Sequence, residues 1–483
     1  MTDAARELRD FEGTAIDTVS ALSAHVGRMS DGEGPASGFA PLREIYDALE
    51  IERWLDGGGM TRESFRSFLA SYLEHSAMLH HPRYLAHQVG APDLAGGLAG
   101  LLNGVTNNPM GIYEMGPSAA TLEFAVVNWM LKKVGWAPQP FPGASPPSTG
   151  AKLGHAGGVL THGGSLGNLT ALLAARARAA PDAWQDGTPP DLAVMVPAVS
   201  HYSCARAVSM IGVGARGIYA IPTTRFGIIE PSSLEGVLRQ VRADGRRPMA
   251  LIANACSTAT GLYDPLRPIG EFCRAHDIWF HADACHGASS LLAPRARKYL
   301  DGLELADSIV WDTHKMMQVP ALCAAVLLRE AGDFARAFQQ DASYLAWDDD
   351  GESYSAMRRA VECTKAGLGV KVFLTLAFQG ERALGEFIDD RSEEVARFAQ
   401  IIAARPGFEV PYAPESNILC FRYGDDDDLQ QHIRDRLLRT GEFHLSSAVV
   451  DGRRHLRITS MGKYTRDEDI HAMLSAIERE AAS

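Results

Sequence analysis

The sequence lacks three features, each of which would have assigned it to a broad class at once. The first is a cysteine framework. Its seven cysteines (Cys204, Cys256, Cys273, Cys285, Cys323, Cys363 and Cys420) are odd in number, widely spread and contain no C-x-x-C pair. Neither a disulfide scaffold nor a zinc site is indicated, no metal is expected, and a reducing cytoplasm fits best. The second is a basic excess: 46 lysines and arginines stand against 59 acidic residues, a net charge of -13. Phosphate backbones and anionic headgroups do not attract such a surface, which argues against nucleic-acid and membrane partners. The third is a long apolar run, since none approaches the ~20 residues of a membrane span. Residues 1–7 carry neither a basic n-region nor an apolar h-region, so no targeting signal is expected. Internal repeats and low-complexity tracts are also lacking.

What is present is an ordinary globular composition, 46% hydrophobic and 22% charged over 483 residues. Residues 4–28 show an amphipathic helical pattern, broken by the glycine-rich stretch 32–38. Helical periodicity resumes over 41–49 and 61–79. This N-terminal segment is too short to bury its own apolar face well, so it is expected to pack across a homodimer or on the main domain. Apolar helices are expected at 94–102 and 119–134, followed by a proline-rich loop at 138–147. The chain then alternates between strands at 192–196, 217–221, 249–254, 278–281, 308–311 and 324–328 and helices at 203–211, 232–243 and 268–276. Such alternation predicts an α/β fold whose mostly parallel sheet is covered by helices on both faces. An acidic stretch at 347–354, a long helical region at 368–405 and strands at 408–410, 418–422 and 455–459 complete the chain. Three segments are expected: 1–97 helical, 98–372 the large α/β domain, and 373–483 a small α+β domain.

Polar groups collect where the strands end, which is where α/β sheets build their sites. Strand 308–311 runs into Asp312-Thr313-His314-Lys315. The stretch T-H-G-G-S-L-G-N-L-T at 161–170 places Gly164 and Ser165 ahead of an alanine-rich helix. Free N–H groups, the helix dipole and a hydroxyl make a cradle for phosphate there, although the stretch is neither a Walker loop nor G-x-G-x-x-G. His201 follows the strand at 192–196, Thr258 follows the strand at 249–254, and Asp283 and Cys285 follow the strand at 278–281. Each has a plainer reading alone: a solvated turn for His314-Lys315, a capped helix for 161–170, a capping histidine for His201 and a turn-capping aspartate for Asp283. Together they suit one chemistry, in which a lysine forms a Schiff base, a carboxylate keeps a ring nitrogen protonated, a flat side chain stacks on the ring and a cradle takes its phosphate. These are the needs of pyridoxal 5′-phosphate.

The motifs "HADACHG", "ADSIVWDTHKMMQVP", "GGSLGNLTALLAAR", "SHYS", "ACSTATGLYDP" and "HHPRY" resemble those of the group II pyridoxal-phosphate-dependent amino-acid decarboxylases, and each lies where that family's order would put it. The family includes the glutamate, cysteine-sulfinate, aromatic-amino-acid and 2,4-diaminobutyrate decarboxylases, and the resemblance covers about residues 78–475. It implies fold type I, the aspartate-aminotransferase-like fold, and decarboxylation of an L-amino acid to its amine and CO2 through a Lys315 Schiff base. It further implies that Asp283 pairs with the ring nitrogen and that His201 stacks on the ring. Gly164, Ser165 and His314 would lie at the phosphate, with Thr258, Cys285 and Asp312 also around the cofactor. A loop tyrosine that protonates the substrate carbon is expected to be Tyr354 or Tyr344, and the acidic surroundings of Tyr354 favour it. The resemblance also implies that Arg457, in "HLRIT", binds a substrate carboxylate, with His87, Tyr113 and Tyr84 as further pocket candidates.

The chain also departs from the family pattern. Leu166 stands where many relatives are acidic, Cys285 replaces an alanine, His286 replaces Trp or Tyr, and Asp312-Thr313 replaces Asn-Pro. These positions leave two other outcomes open on the same chemistry, a carbon–carbon lyase or an oxygen-dependent aldehyde synthase or oxidase. A catalytically inactive, cofactor-binding regulatory protein is the reading from another class.

Overall fold

The computed structural model describes residues 3–141, 153–340 and 354–482. It divides into two compact units, one of residues 88–396 and 414–418, the other of residues 1–87, 397–413 and 419–483. The first is built on seven strands: β1 (Gly157–Thr161), β2 (Leu192–Pro197), β3 (Ile218–Ile221), β4 (Arg247–Asn254), β5 (Trp279–Asp283), β6 (Ser308–Asp312) and β7 (Ala324–Leu328). Their order is β1-β7-β6-β5-β4-β2-β3. Strands β6, β5, β4, β2 and β3 pair in parallel, and β7 runs antiparallel to both neighbours. Strands β1, β2, β5, β6 and β7 are buried along their whole length, as a sheet covered on both faces requires. The carboxyl ends of β1, β4, β5 and β6 therefore share one edge with the start of β7.

The expected strands and crossover helices lie within two or three residues of the observed ones. Strand β1 is absent from the sequence reading, because its sequence G-G-V-L-T is short and opens on two glycines. The region 368–405 is two helices, Leu368–Gln379 and Glu381–Ala403, parted at Gly380, where φ is 81°. Helix Pro117–Val134 is pinned to β1 through Glu123, whose Oε1 accepts from the Leu160 amide at 3.0 Å. Its Oε2 accepts from Lys365 Nζ at 2.5 Å, an ion pair whose side chains are 0% and 1% exposed.

The second unit holds β8 (Phe408–Glu409), β9 (Ile418–Tyr423), β10 (Ser446–Val450) and β11 (Arg453–Thr459), ordered β10-β11-β9-β8. Helix Asp427–Thr440 packs on β10 and β11. Residues 1–87 belong to this unit because the stretch 83–86 is stitched along the sheet. The Leu85 amide donates to the His444 carbonyl at 2.9 Å, and the Thr459 amide donates to the Leu85 carbonyl at 2.8 Å. This division differs from the three segments expected, because backbone pairing, which leaves no local pattern, joins the first segment to the last. No helix among the described residues is long and apolar enough to cross a membrane.

Candidate active site

At the carboxyl edge of the seven-stranded sheet lies a cavity of about 330 Å³. Every candidate cofactor residue of the sequence reading lines it: Gly164, Ser165, Thr258, Asp283, Cys285, Asp312, His314 and Lys315, together with His201. His162, Ser203, Cys256, His286 and Leu322 add to the wall.

Lys315 sits in a tight turn after β6. Its amide donates to the Asp312 carbonyl at 3.3 Å, and Gln318 and Val319 close the turn on Lys315 and Thr313. Thr313 donates its hydroxyl to the Cys323 carbonyl at 3.1 Å, and His314 Nδ1 reaches the same oxygen at 2.8 Å. Gly90, not singled out in the sequence, backs this turn. A Cβ there would lie 2.4 Å from the Lys315 carbonyl oxygen, so only glycine permits the approach.

Asp312 Oδ2 lies 3.0 Å from Lys315 Nζ and 3.8 Å from His314 Nε2. Burial disfavours the ammonium, but the Asp312 carboxylate and the more distant Asp283 outweigh it and lift the Lys315 pKa above the ordinary lysine value. Asp283 closes β5. Burial pushes its pKa up, while hydrogen bonding from Cys285 and the charge of Lys315 prevail and hold it below the usual carboxylate value. Its Oδ2 accepts from Asn168 Nδ2 at 3.2 Å and from the Cys204 thiol at 3.3 Å. Burial and the Asp283 charge push the Cys204 pKa far up, so that thiol remains a donor. His201 caps helix Tyr202–Met210 through Nδ1 and also lines the cavity, so the plainer and the functional readings both hold in geometry. Burial lowers its pKa.

Helix Gly164–Ala179 opens on the cavity with no side chain capping its first N–H groups. A Cβ at Gly164 would stand 2.4 Å from Cys285 Sγ and 2.8 Å from Asp312 Oδ1, so a side chain would fill the cradle. A lysine, an ionised aspartate at a strand end and an uncapped, glycine-lined helix start in one cavity fit pyridoxal 5′-phosphate.

Other candidates lie elsewhere. Tyr354 is not among the cavity's lining residues. It is 3% exposed, donates its hydroxyl to the Gly158 carbonyl at 2.8 Å and stands edge-on to Phe124. Burial pushes its pKa up, so the hydroxyl keeps its proton. Tyr354→Phe is expected to lower stability by about 1 kcal/mol in urea unfolding and to leave the ratio of amine to aldehyde product unchanged. Tyr344 and the acidic residues 347–353 lie outside the described residues. Tyr113 begins a short 3-10 turn and packs on the core. His87 and Arg457 belong to the other unit and are brought together there. Arg457 Nη1 donates to the carbonyl of Ala86 at 3.2 Å and to Ser446 Oγ at 3.1 Å, beside an exposed His87. Tyr84 is buried in that unit, edge-on to His444.

Sequence reasoning also passes over Asn168, Ser203, His281 and Ser308, which surround Asp283 and His201 with hydrogen bonds. Their signal is weak, since each reads as a helix, cap or strand residue. Burial lowers the pKa of His281, 0% exposed, from 6.5 to about 4, against the pull of Asp283. The unfolded chain therefore takes up this proton first as pH falls. Stability is lost from pH 6.5 downward through about 4, an effect of roughly 3 kcal/mol when complete. Urea unfolding at neutral and mildly acid pH checks this, and His281→Gln is expected to flatten the loss.

A fold-type-I sheet with this lysine, aspartate and cradle defines a pyridoxal-phosphate-dependent enzyme. The profile of the pyridoxal-dependent decarboxylase conserved domain matches residues 60–424, and the chain belongs to that family. It is 25% identical to an L-2,4-diaminobutyrate decarboxylase of Acinetobacter baumannii over 99% of this chain and 94% of that one. It is 28% identical to the acidic amino acid decarboxylase GADL1 of Mus musculus over 80% of this chain and 68% of that one. Among solved structures, mouse CSAD in its apo form superposes with a TM-score of 0.87 at 23% identity, covering 98% of both chains, which supports the fold.

Proposed function

We propose that the protein removes the α-carboxyl group of an L-amino acid as CO2 and releases the amine, with pyridoxal 5′-phosphate held by Lys315. The observation that carries this reading is the presence of Lys315, Asp283 and the Gly164 cradle in one cavity. When bound, the cofactor supplies an electron-accepting ring for the pair left behind by the departing carboxyl group. Lys315 would hold it covalently and Asp283 would keep its ring nitrogen protonated. Gly164, Ser165 and the uncapped helix start, with His314, would hold its phosphate, with Thr258 and Cys285 beside it. His201 would lie on the ring face and help return a proton to the substrate's α-carbon. Asp312, 3.0 Å from Lys315 Nζ, would orient the lysine amine toward the cavity.

Arg457 is proposed to take a substrate carboxylate through its two-pronged guanidinium, with His87 and Tyr113 as further contacts. The relatives act, by name, on a diamino acid in one case and acidic amino acids in the other, so the decisive substrate panel includes both. Purified holoenzyme is incubated with each amino acid and the products are weighed by mass spectrometry. Amine plus CO2 supports decarboxylation, an aldehyde with ammonia and peroxide supports the oxidative outcome, and binding without turnover supports the inactive regulatory reading.

A homodimer is also proposed. Leu98, Leu101, Leu102 and Val105 stand exposed on helix Leu94–Thr106, as do Leu8, Phe11, Ile16 and Val19 on helix Asp3–Ser30, rows of large apolar side chains of the kind that mark protein interfaces. The odd number and wide spread of the seven cysteines, with no C-x-x-C pair, support a reducing, cytoplasmic setting.

A further inference from the structure

The hydrogen bonds behind the cavity run in one direction. Trp279 Nε1 lies 2.7 Å from Ser308 Oγ, and an indole N–H can only donate. Ser308 therefore accepts from the indole and retains its own proton, which faces His281 Nδ1 at 2.8 Å. With Nδ1 accepting, the proton of a neutral His281 ring stands on Nε2, 3.1 Å from Asn168 Oδ1. That fixes the amide: Oδ1 accepts, and Nδ2 has two protons to give. One goes to Asp283 Oδ2 at 3.2 Å and the other to Ser203 Oγ at 3.0 Å. Ser203, having accepted, donates its hydroxyl to His201 Nδ1 at 2.7 Å, the nitrogen that also accepts the Ser203 amide at 3.3 Å, so the proton of His201 stands on Nε2. Moving the His281 proton to Nδ1 would set Nε2 against Asn168 Oδ1, acceptor against acceptor, and turning the amide would set its oxygen against Asp283, in a place no water can relieve, since Asn168, His281 and Ser308 are all 0% exposed.

The sheet explains how the chain is laid out. Trp279, His281 and Asp283 alternate along β5 and so share one face, while Ser308 is the register partner of His281 on β6. Asn168 comes down on that face from near the start of the cradle helix. One amide thus touches both branches, the carboxylate on one side and, through a serine, the imidazole on the other.

We infer that Asn168 and His281 are positioning residues that jointly set the orientation of the Asp283 carboxylate and the tautomer of His201 through this one-way chain. The inference rests on the cavity assignment above but not on which reaction takes place in it. His281→Leu breaks the chain, whereas His281→Gln retains a group that accepts on one side and donates on the other.

The test reads the ring nitrogens of His201 by 15N NMR in the cofactor-free protein, assigned with His201→Gln, together with cofactor affinity and the kcat against KM split of the holoenzyme. The wild type is expected to show a single Nε2–H tautomer. His281→Leu is expected to mix the tautomers, to weaken cofactor binding about tenfold and to lower kcat about tenfold or more with KM changed less than about threefold. His281→Gln is expected to restore all three. Should His281→Leu not fold, Ser203→Ala cuts only the His201 branch and is expected to shift the His201 nitrogen resonances, Nδ1 being left with the Ser203 amide alone, with cofactor affinity unchanged. Unchanged His201 nitrogens in folded His281→Leu, or in Ser203→Ala, overturn the inference. The tautomer readout needs no turnover, so an enzyme found to catalyse a different reaction would leave this result standing.

Discussion

Lys315→Ala is expected to give a folded protein that holds no covalent cofactor, traps no label on borohydride reduction and turns over at least ~10³-fold more slowly. The reason is the solitary placement of this amine. Lys315 is the only lysine among the residues lining the cavity, its turn is closed on both sides by backbone bonds, and Gly90 fills the space behind it. A neighbouring lysine cannot replace it without rebuilding that turn. Absorbance of the purified variant with added cofactor, before and after borohydride, checks the result. A reducible chromophore surviving in Lys315→Ala would remove the basis for the proposed function.

The largest expected stability effect lies away from the chemistry. Glu123→Ala is expected to destabilise the protein by about 3–5 kcal/mol, because it strands the Lys365 ammonium in the core and also deprives the Leu160 amide of its acceptor. Lys365→Met strands the opposite charge and is expected to have a similar effect. Replacing both residues by apolar ones of like volume is expected to recover much of the loss, since two buried charges then need no solvation. Urea unfolding of the two single variants and the double variant measures the coupling directly. Additive losses would mean that the pair does not act as a unit.

The cavity is legible in the sequence for a physical reason. Residues that follow buried strands lie at one edge of a parallel sheet whatever the loops do, so strand ends at 254, 283 and 312 bring Thr258, Asp283 and Lys315 together on pattern alone. A glycine-serine start to an alanine-rich helix likewise carries its own local signal. What lies hidden is pairwise and distant. Lys365 stands 242 residues from Glu123, and neither advertises the other. His281 reads as one more strand residue and Asn168 as one more helix residue until the sheet lays them side by side. The acidic neighbours of Tyr354 suggest a loop, yet its own ring is apolar enough to enter the core against Phe124. Strand β1 and the stitching of 83–86 escape because backbone pairing leaves little mark on side-chain pattern.

That stitching also bears on the order of events during synthesis. Ser446 reaches back 360 residues to the Ala86 carbonyl, and Arg457 reaches back 371 to the same oxygen. A chain emerging from the ribosome delivers residues 83–86 well before their sheet partners. Residues 83–86 must therefore wait, without their sheet partners, while the seven-stranded sheet is made and folds on its own local and crossover contacts. In this protein a segment translated well before the seven-stranded sheet finds its place only after it.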